Sequence, residues 1–253
     1  NSTVNISDNS PNHNPFVPPT ESWSYTLSTS IPDSDVIINE FLASNTTGLQ
    51  TRNGERADWL ELYNNSNTTS DISGWYLTDS RNNLLQWQFP PRTTIPPQGY
   101  LIVFCNGWTG DPQVNGEYLA NFSLSKAGEY LALVKDDGTT IAHEFQPAYP
   151  PQYSNISYGN GLYYPTPTPG KENGEGFLEP VGEVTFSEPR GYKSAPFTLS
   201  MSSATEDAAI YYTLDGTIPT TSSTRYRTPL SIDKITYIRA IATKAGHINS
   251  TVS

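Results

Sequence analysis

Four carboxyl residues lie close together along the chain, Glu40, Glu55, Asp58 and Glu61, and they are the groups best suited to chemistry. Glu40 and Glu61 sit in two strand-like runs, Val36–Leu42 and Trp59–Tyr63, which are expected to be neighbours. Two converging carboxyl groups could act as an acid/base pair on a glycosidic bond, or bind Ca²⁺ together with loop carbonyls. No Asp-x-Asp-x-Asp loop accompanies them. The single cysteine, Cys105, ends the apolar run Tyr100–Cys105 with no histidine near it in sequence. A nucleophilic thiol needs an exposed, electropositive setting, so a buried core thiol is the expectation. His13, His143 and His247 are scattered over a tail, a strand and a turn, and no serine is framed as Gly-x-Ser-x-Gly. The residues therefore predict no catalytic set, no cofactor and no metal centre, and a protein that is not an enzyme.

Composition narrows the class further. The 253 residues carry 14 basic and 25 acidic side chains, a net charge of −11, yet only 15% are charged while 12% are aromatic, with 16 Tyr. Disordered chains have few aromatics, so a packed protein is expected. A Lys-poor acidic surface is a poor polyanion binder, and no nucleic-acid partner is expected. One cysteine allows no disulfide within the chain. No run approaches the ~18 apolar residues of a membrane span. The chain opens at Asn1 without Met or a leader, which fits a processed, secreted or cell-surface protein. Eight Asn-x-Ser/Thr sequons, at Asn1, Asn5, Asn45, Asn64, Asn67, Asn121, Asn155 and Asn249, are candidate glycan acceptors in that setting.

The elements that must position these groups are strands. Residues 1–35 form a Pro/Asn/Ser-rich tail in which 22–31 alternate as a strand would. Short apolar runs with turn punctuation follow from Val36, and Asp137-Gly138 and Asp215-Gly216 mark tight turns. Apolar residues nowhere recur with a sustained helical period. A Pro- and Gly-rich stretch from Tyr158 to Glu179 divides the strand-like runs into two groups. The expected organisation is all-β: an extended N-terminal tail (1–35), a first sandwich (36–173), a linker (174–181) and a second sandwich (182–253).

Ordered motifs carry a family resemblance. Val36-Ile-Ile-Asn-Glu-Phe-Leu42, Asp58-Trp-Leu-Glu-Leu-Tyr-Asn64 and Asp71-Ile-Ser-Gly-Trp-Tyr-Leu-Thr-Asp79 resemble the lamin tail domain, and Pro167-Thr-Pro-Gly-Lys-Glu-Asn173 is similar to the ending of its prokaryotic members. The resemblance implies an immunoglobulin-like β-sandwich over about 36–173, with Glu40 and Glu61 fixing the sheet edge by hydrogen bonds and Trp59, Trp75 and Trp87 in the core. Gly191–Leu199, Ile210–Thr220 with its Tyr-Tyr-Thr-Leu-Asp-Gly core, and Tyr237–Ala242 resemble the chitobiase/β-hexosaminidase C-terminal type of module, over about 182–253. That resemblance implies a second small sandwich with no hydrolytic site, whose last strand looks short here.

The remaining aromatics are open to two readings. Trp108, in a polar loop, and Tyr149, Tyr153, Tyr163 and Tyr164, in Pro-rich connections, could stack on glycans or anchor an interface, or could fold over their own sandwich ends. The functional expectation is an extracellular structural or adhesive protein, a subunit of a filament-like assembly that self-associates through strand edges and its N-terminal tail. The alternatives are accessory modules of a larger secreted or surface enzyme, kinase-like or carbohydrate-active, or a carbohydrate-binding module pair that recognises surface glycans.

Overall fold

A computed structural model describes residues 34–253. The strand expected at 22–31, with Asn1, Asn5 and His13, lies outside the described residues. The first group of strands is Val36–Leu42 (β1), Asp58–Asn64 (β2), Ser70–Asp71 (β3), Tyr76–Thr78 (β4), Trp87–Gln88 (β5), Thr94–Ile95 (β6) and Tyr100–Cys105 (β7). It continues with Gln113–Val114 (β8), Glu117–Ala120 (β9), Leu131–Val134 (β10), Ile141–Phe145 (β11), Ser157–Gly159 (β12) and Leu162–Tyr164 (β13). The second group is Val184–Phe186 (β14), Phe197–Leu199 (β15), Met201–Ser203 (β16), Ala209–Thr213 (β17), Thr224–Arg225 (β18), Leu230–Ile232 (β19) and Arg239–Thr243 (β20). The described residues contain no helix, so none is long and apolar enough to cross a membrane.

A seven-stranded sheet ordered β13-β12-β1-β2-β7-β9-β8 faces a four-stranded sheet ordered β11-β10-β4-β5. Ile38, Phe41, Leu60, Leu62, Leu77, Val103, Leu131 and Leu133 fill the space between them. The strands form because β-branched and aromatic side chains alternate along them and pack well on a pleated surface. Yet β1 and β2 are buried on both faces, since Leu42, Trp59 and Phe104 make a second apolar cluster on the far side of the sheet.

One irregularity matters for the site. From Val36 to Ile38 the two strands pair in one register, Ile38 opposite Leu62; from Glu40 onward they pair one residue later, Glu40 opposite Glu61. Asn39 is the extra residue, a β-bulge. Without it Glu40 would face Leu60. With it, the two glutamates become direct cross-strand neighbours on one face.

The second sandwich is built from the pairs β14-β16 and β15-β19 and the sheet β18-β17-β20, around Val181, Val184, Met201, Ile210, Ala240 and Ala242. The strand run from Phe197 to Ser203 breaks at Ser200: β15 before the break pairs with β19, and β16 after it pairs with β14. The expectation of a short final strand meets a definite arrangement. Ser250 donates to the Ala242 carbonyl, and Ala240 and Ser253 exchange two backbone bonds at 3.1 and 3.0 Å. Residues 250–253 thus cover the edge of β20.

The stretch 174–181 is tied at both ends. Phe177 and Tyr163 exchange two backbone bonds at 2.8 Å, while Leu178 donates to the Gly246 carbonyl and Val181 to that of Ile248. Val181 is buried in the second core.

Candidate functional site

The residues between β13 and Phe177 fold back over the carboxyl pair. Glu40 and Glu61 are wholly buried. Glu40 accepts from the Thr168 amide at 3.0 Å, from Thr168 Oγ1 at 3.0 Å and from Ser157 Oγ. Glu61 accepts from the Gly170 amide and, at 2.9 Å, from Asn39 Nδ2. Asn39 Nδ2 also donates to Asn173 Oδ1 at 2.9 Å. The prolines of Tyr164-Pro-Thr-Pro-Thr-Pro-Gly170 remove three amide donors and hold the segment extended. The remaining Thr168 and Gly170 amides are thereby presented to the sheet.

This arrangement holds chain to chain. Every carboxyl oxygen of the pair is occupied by a donor from the same molecule, and neither residue reaches solvent. A glycosidase pair needs space for a sugar and a water between its carboxyl groups; segment 165–173 occupies that place. The other two acids point elsewhere. Asp58, at the start of β2, accepts from the Leu124 amide at 3.2 Å, and exposed Glu55 accepts from Asn106 Nδ2 at 3.2 Å. Among the described residues no three His, Cys, Asp or Glu side chains group so as to hold a metal ion.

Burial sets the electrostatics. Desolvation pushes the Glu61 carboxyl from the ordinary 4.5 up to about 7, against the lowering effect of the Gly170 and Asn39 hydrogen bonds. Asp58 is raised to about 6 by desolvation, although the Leu124 amide opposes it. Burial also drives the Cys105 thiol well above its usual range, with Asp58 nearby adding to the effect, so it is not an activated nucleophile. His143, on β11, is shifted down by burial. The unfolded chain therefore loses its Glu61 proton near pH 4.5 and the folded chain near pH 7. Between these values the native state binds more protons, and stability falls as pH rises, by about 3 kcal/mol for this group. Urea unfolding of wild type and Glu61→Gln from pH 4.5 to 8 checks this. The wild-type curve should decline more steeply with pH than the variant's, and parallel curves would contradict it.

The aromatics expected in connections divide sharply. Tyr149 is buried, 4.7 Å from the Phe41 ring, with its hydroxyl donating to Glu129. Tyr163 is buried against Tyr158 and donates to the Pro151 carbonyl; Tyr164 is buried at the end of β13. These three are core residues and offer no face to a ligand, because the Pro-rich connections lie flat on the sandwich end. Tyr153 is half-buried against Tyr163. Trp108 remains 45% exposed, its indole folded over Gly110 and bonded to the Asp111 carbonyl. Trp59 and Trp87 are buried and Trp75 packs on the core.

Two sequons are corrected in the same way. Asn45 Nδ2 donates to the Leu49 and Ala57 carbonyls, and Asn64 Nδ2 to those of Thr68, Ile95 and Pro96, both from buried positions. Neither nitrogen can carry a glycan in the folded protein. Asn155 is half-buried and anchors the 44–47 loop, whereas Asn67, Asn121 and Asn249 are exposed. The site partners Thr168, Gly170 and Asn173 had a visible signal, the Pro-Thr-Pro-Gly…Asn string, whereas Ser157 on β12 had none, and nothing in sequence says which acids they meet.

The fold and its occupied carboxyl pair define a class: tandem immunoglobulin-like β-sandwiches of non-catalytic, accessory type. Family comparison agrees in type and order. Residues 29–146 match the family model of the Lamin Tail Domain, and residues 188–253 match that of the Chitobiase/beta-hexosaminidase C-terminal domain. The first match ends before Ser157, so the segment that clamps the glutamates lies beyond it. No curated protein matches the chain.

Proposed function

We propose that this is a non-enzymatic structural or adhesive protein of the cell surface, a subunit that self-associates by β-strand addition. The observation that carries the reading is the distribution of exposed apolar side chains. Nine large ones are exposed among the described residues, and all except Leu85 and Trp108 lie in residues 178–252. Of these, Tyr192 and Ile235 line one largely apolar groove, which has the character of an interaction surface. The acids that could have done chemistry serve the fold instead. Analytical ultracentrifugation of the purified chain over a wide concentration range tests this. Assembly that grows with concentration is expected, and a monomer throughout would overturn it.

A second reading has one observation of its own. The match of residues 188–253 to the Chitobiase/beta-hexosaminidase C-terminal domain favours accessory modules of a carbohydrate-active enzyme. Trp108 is the exposed aromatic in the first sandwich that a sugar could stack on. On that reading Trp108→Ala abolishes binding on a glycan array; equal binding by wild type and variant, or none by either, removes it.

A further inference from the structure

The edges of the second sandwich are unequal. Residues 250–253 cover β20, and β15 pairs with β19 on one side. On its other side β19, Leu230–Ile232, has no backbone partner among the described residues. Such an edge is a ready template for another strand. Two grooves border β19, the first shared with its partner β15 and the second along its free side. One, of about 680 Å³, is largely apolar, with Phe186, Tyr192, Phe197 and Ile235 in its walls. The other, of about 600 Å³, runs between β19 and the β17–β18 hairpin past Leu214 and again Ile235. Tyr192 is 95% and Ile235 88% exposed, an unfavourable state for side chains of that size unless something covers them.

We propose that the free edge of β19 accepts residues 22–31 of a second copy of this chain as an added strand, its apolar face lying over Ile235 and Tyr192. The proposal rests on the self-association reading and names its acceptor. The occupant follows from pattern, tether and charge. Ser22-Trp-Ser-Tyr-Thr-Leu-Ser-Thr-Ser-Ile31 alternates, with Trp23, Tyr25, Leu27 and Ile31 on one side, interrupted there by Thr29, and only Ser or Thr on the other. Such a strand needs one apolar surface and leaves a polar outer face. Four residues, 32–35, separate it from β1, which belongs to the first sandwich. Donor and acceptor thus belong to different parts of the chain, and a neighbouring copy is the natural source. Residues 1–33 hold Asp8, Glu21 and Asp33 and no Lys or Arg. The first groove bears Arg190, Lys193 and Lys234 against Glu188 and Asp233, a net +1 in a chain of net −11. Lys193 is already paired with Glu188 at 2.6 Å, so Arg190 and Lys234 are the cations positioned for the acidic donor.

A complementation experiment with full-length chains tests the assignment. Thr26→Pro removes a ladder donor from the added strand, and Ile235→Glu places a charge on the exposed acceptor surface. Matching circular dichroism spectra and melting curves establish that both variants are folded, and Tyr192→Ser serves as a second acceptor variant. By ultracentrifugation, wild type should assemble and each variant alone should stay monomeric. An equimolar mixture of T26P and I235E should form heterodimers, because one intact donor meets one intact acceptor. If I235E and Y192S assemble as wild type does, or the mixture stays monomeric, the β19 site is wrong while self-association stands. If wild type itself is monomeric, with the strand added within its own chain, the self-association reading falls and this proposal with it.

Discussion

Glu40→Ala should destabilise the protein by about 1–3 kcal/mol, the cost of leaving hydrogen-bonding groups without their partner. The carboxyl is the common acceptor of the Thr168 amide, the Thr168 hydroxyl and Ser157 Oγ. Its loss takes the acceptor from the half-buried Thr168 amide and hydroxyl, leaves Ser157 Oγ only the Tyr164 carbonyl at 3.4 Å, and opens space beside Glu61. The backbone of 165–173 would then detach or admit water, exposing a face of the sheet where Glu40 and Glu61 are now fully covered. Equilibrium urea unfolding measures the effect, and limited proteolysis between Tyr164 and Phe177 reports the detachment. Thr168→Val should cost about 1 kcal/mol alone, the net worth of one hydrogen bond, and much less in the Glu40→Ala background. A Glu40→Ala loss below about 1 kcal/mol, or additive losses in the double variant, would show that the clamp is not a coupled unit.

Gly159→Ala should cost about 3 kcal/mol, the upper end of the usual overpacking range. Gly159 ends β12, which pairs with β1 across the bulge. A Cβ built there would lie 2.0 Å from the Asn39 carbonyl oxygen and 3.3 Å from the Glu40 Cα. Both are backbone atoms, so no rotamer change relieves the clash. Either β12 leaves the sheet or the bulge flattens, and a flattened bulge turns Glu40 away from Glu61. Thermal unfolding measures the loss. The same variant should also weaken the decline in stability between about pH 4.5 and 7, since that decline depends on Glu61 being buried under the segment. Wild-type stability for Gly159→Ala would refute the close approach. The two variants attack one structure from opposite sides: one removes the acceptor, the other moves the strand that presents it.

Much of this was legible in the residues. The long strands β1, β2, β7, β10 and β11 lie where short apolar runs bounded by turn residues put them, because each packs against the core. The facing of Glu40 and Glu61 was expected from two neighbouring runs, and so was the burial of Cys105. The two-residue strands β3, β5, β6, β8 and β18 are too short to carry a period, and their pairing depends on strands that precede them in space rather than in sequence. The Pro-rich stretch misleads in a specific way. Proline spacing describes a stiff extended segment but not what it lies against, so Tyr163 and Tyr164 looked like connection residues and are core. Asn45 and Asn64 misled for a related reason. A sequon is defined by three residues, whereas the carbonyls that occupy these amides come from as far away as Pro96.

By itself the sequence determined the all-β class, the strand-rich order of the two sandwiches, the low charge and the lack of a nucleophile motif. These depend on residue type and short-range period, which act over a few residues. The tertiary structure alone decided that the acids are a clamp and not a reaction centre. One inserted residue at Asn39 changes register, brings two glutamates opposite each other and lets residues more than 100 positions away saturate them. Tertiary structure likewise decided which edges are covered: 250–253 close β20, while β19 is among the strands that keep a bare ladder on one side. Hydrogen-bond donors and sheet edges are matched across the chain in three dimensions, and no local pattern records which of them has been satisfied.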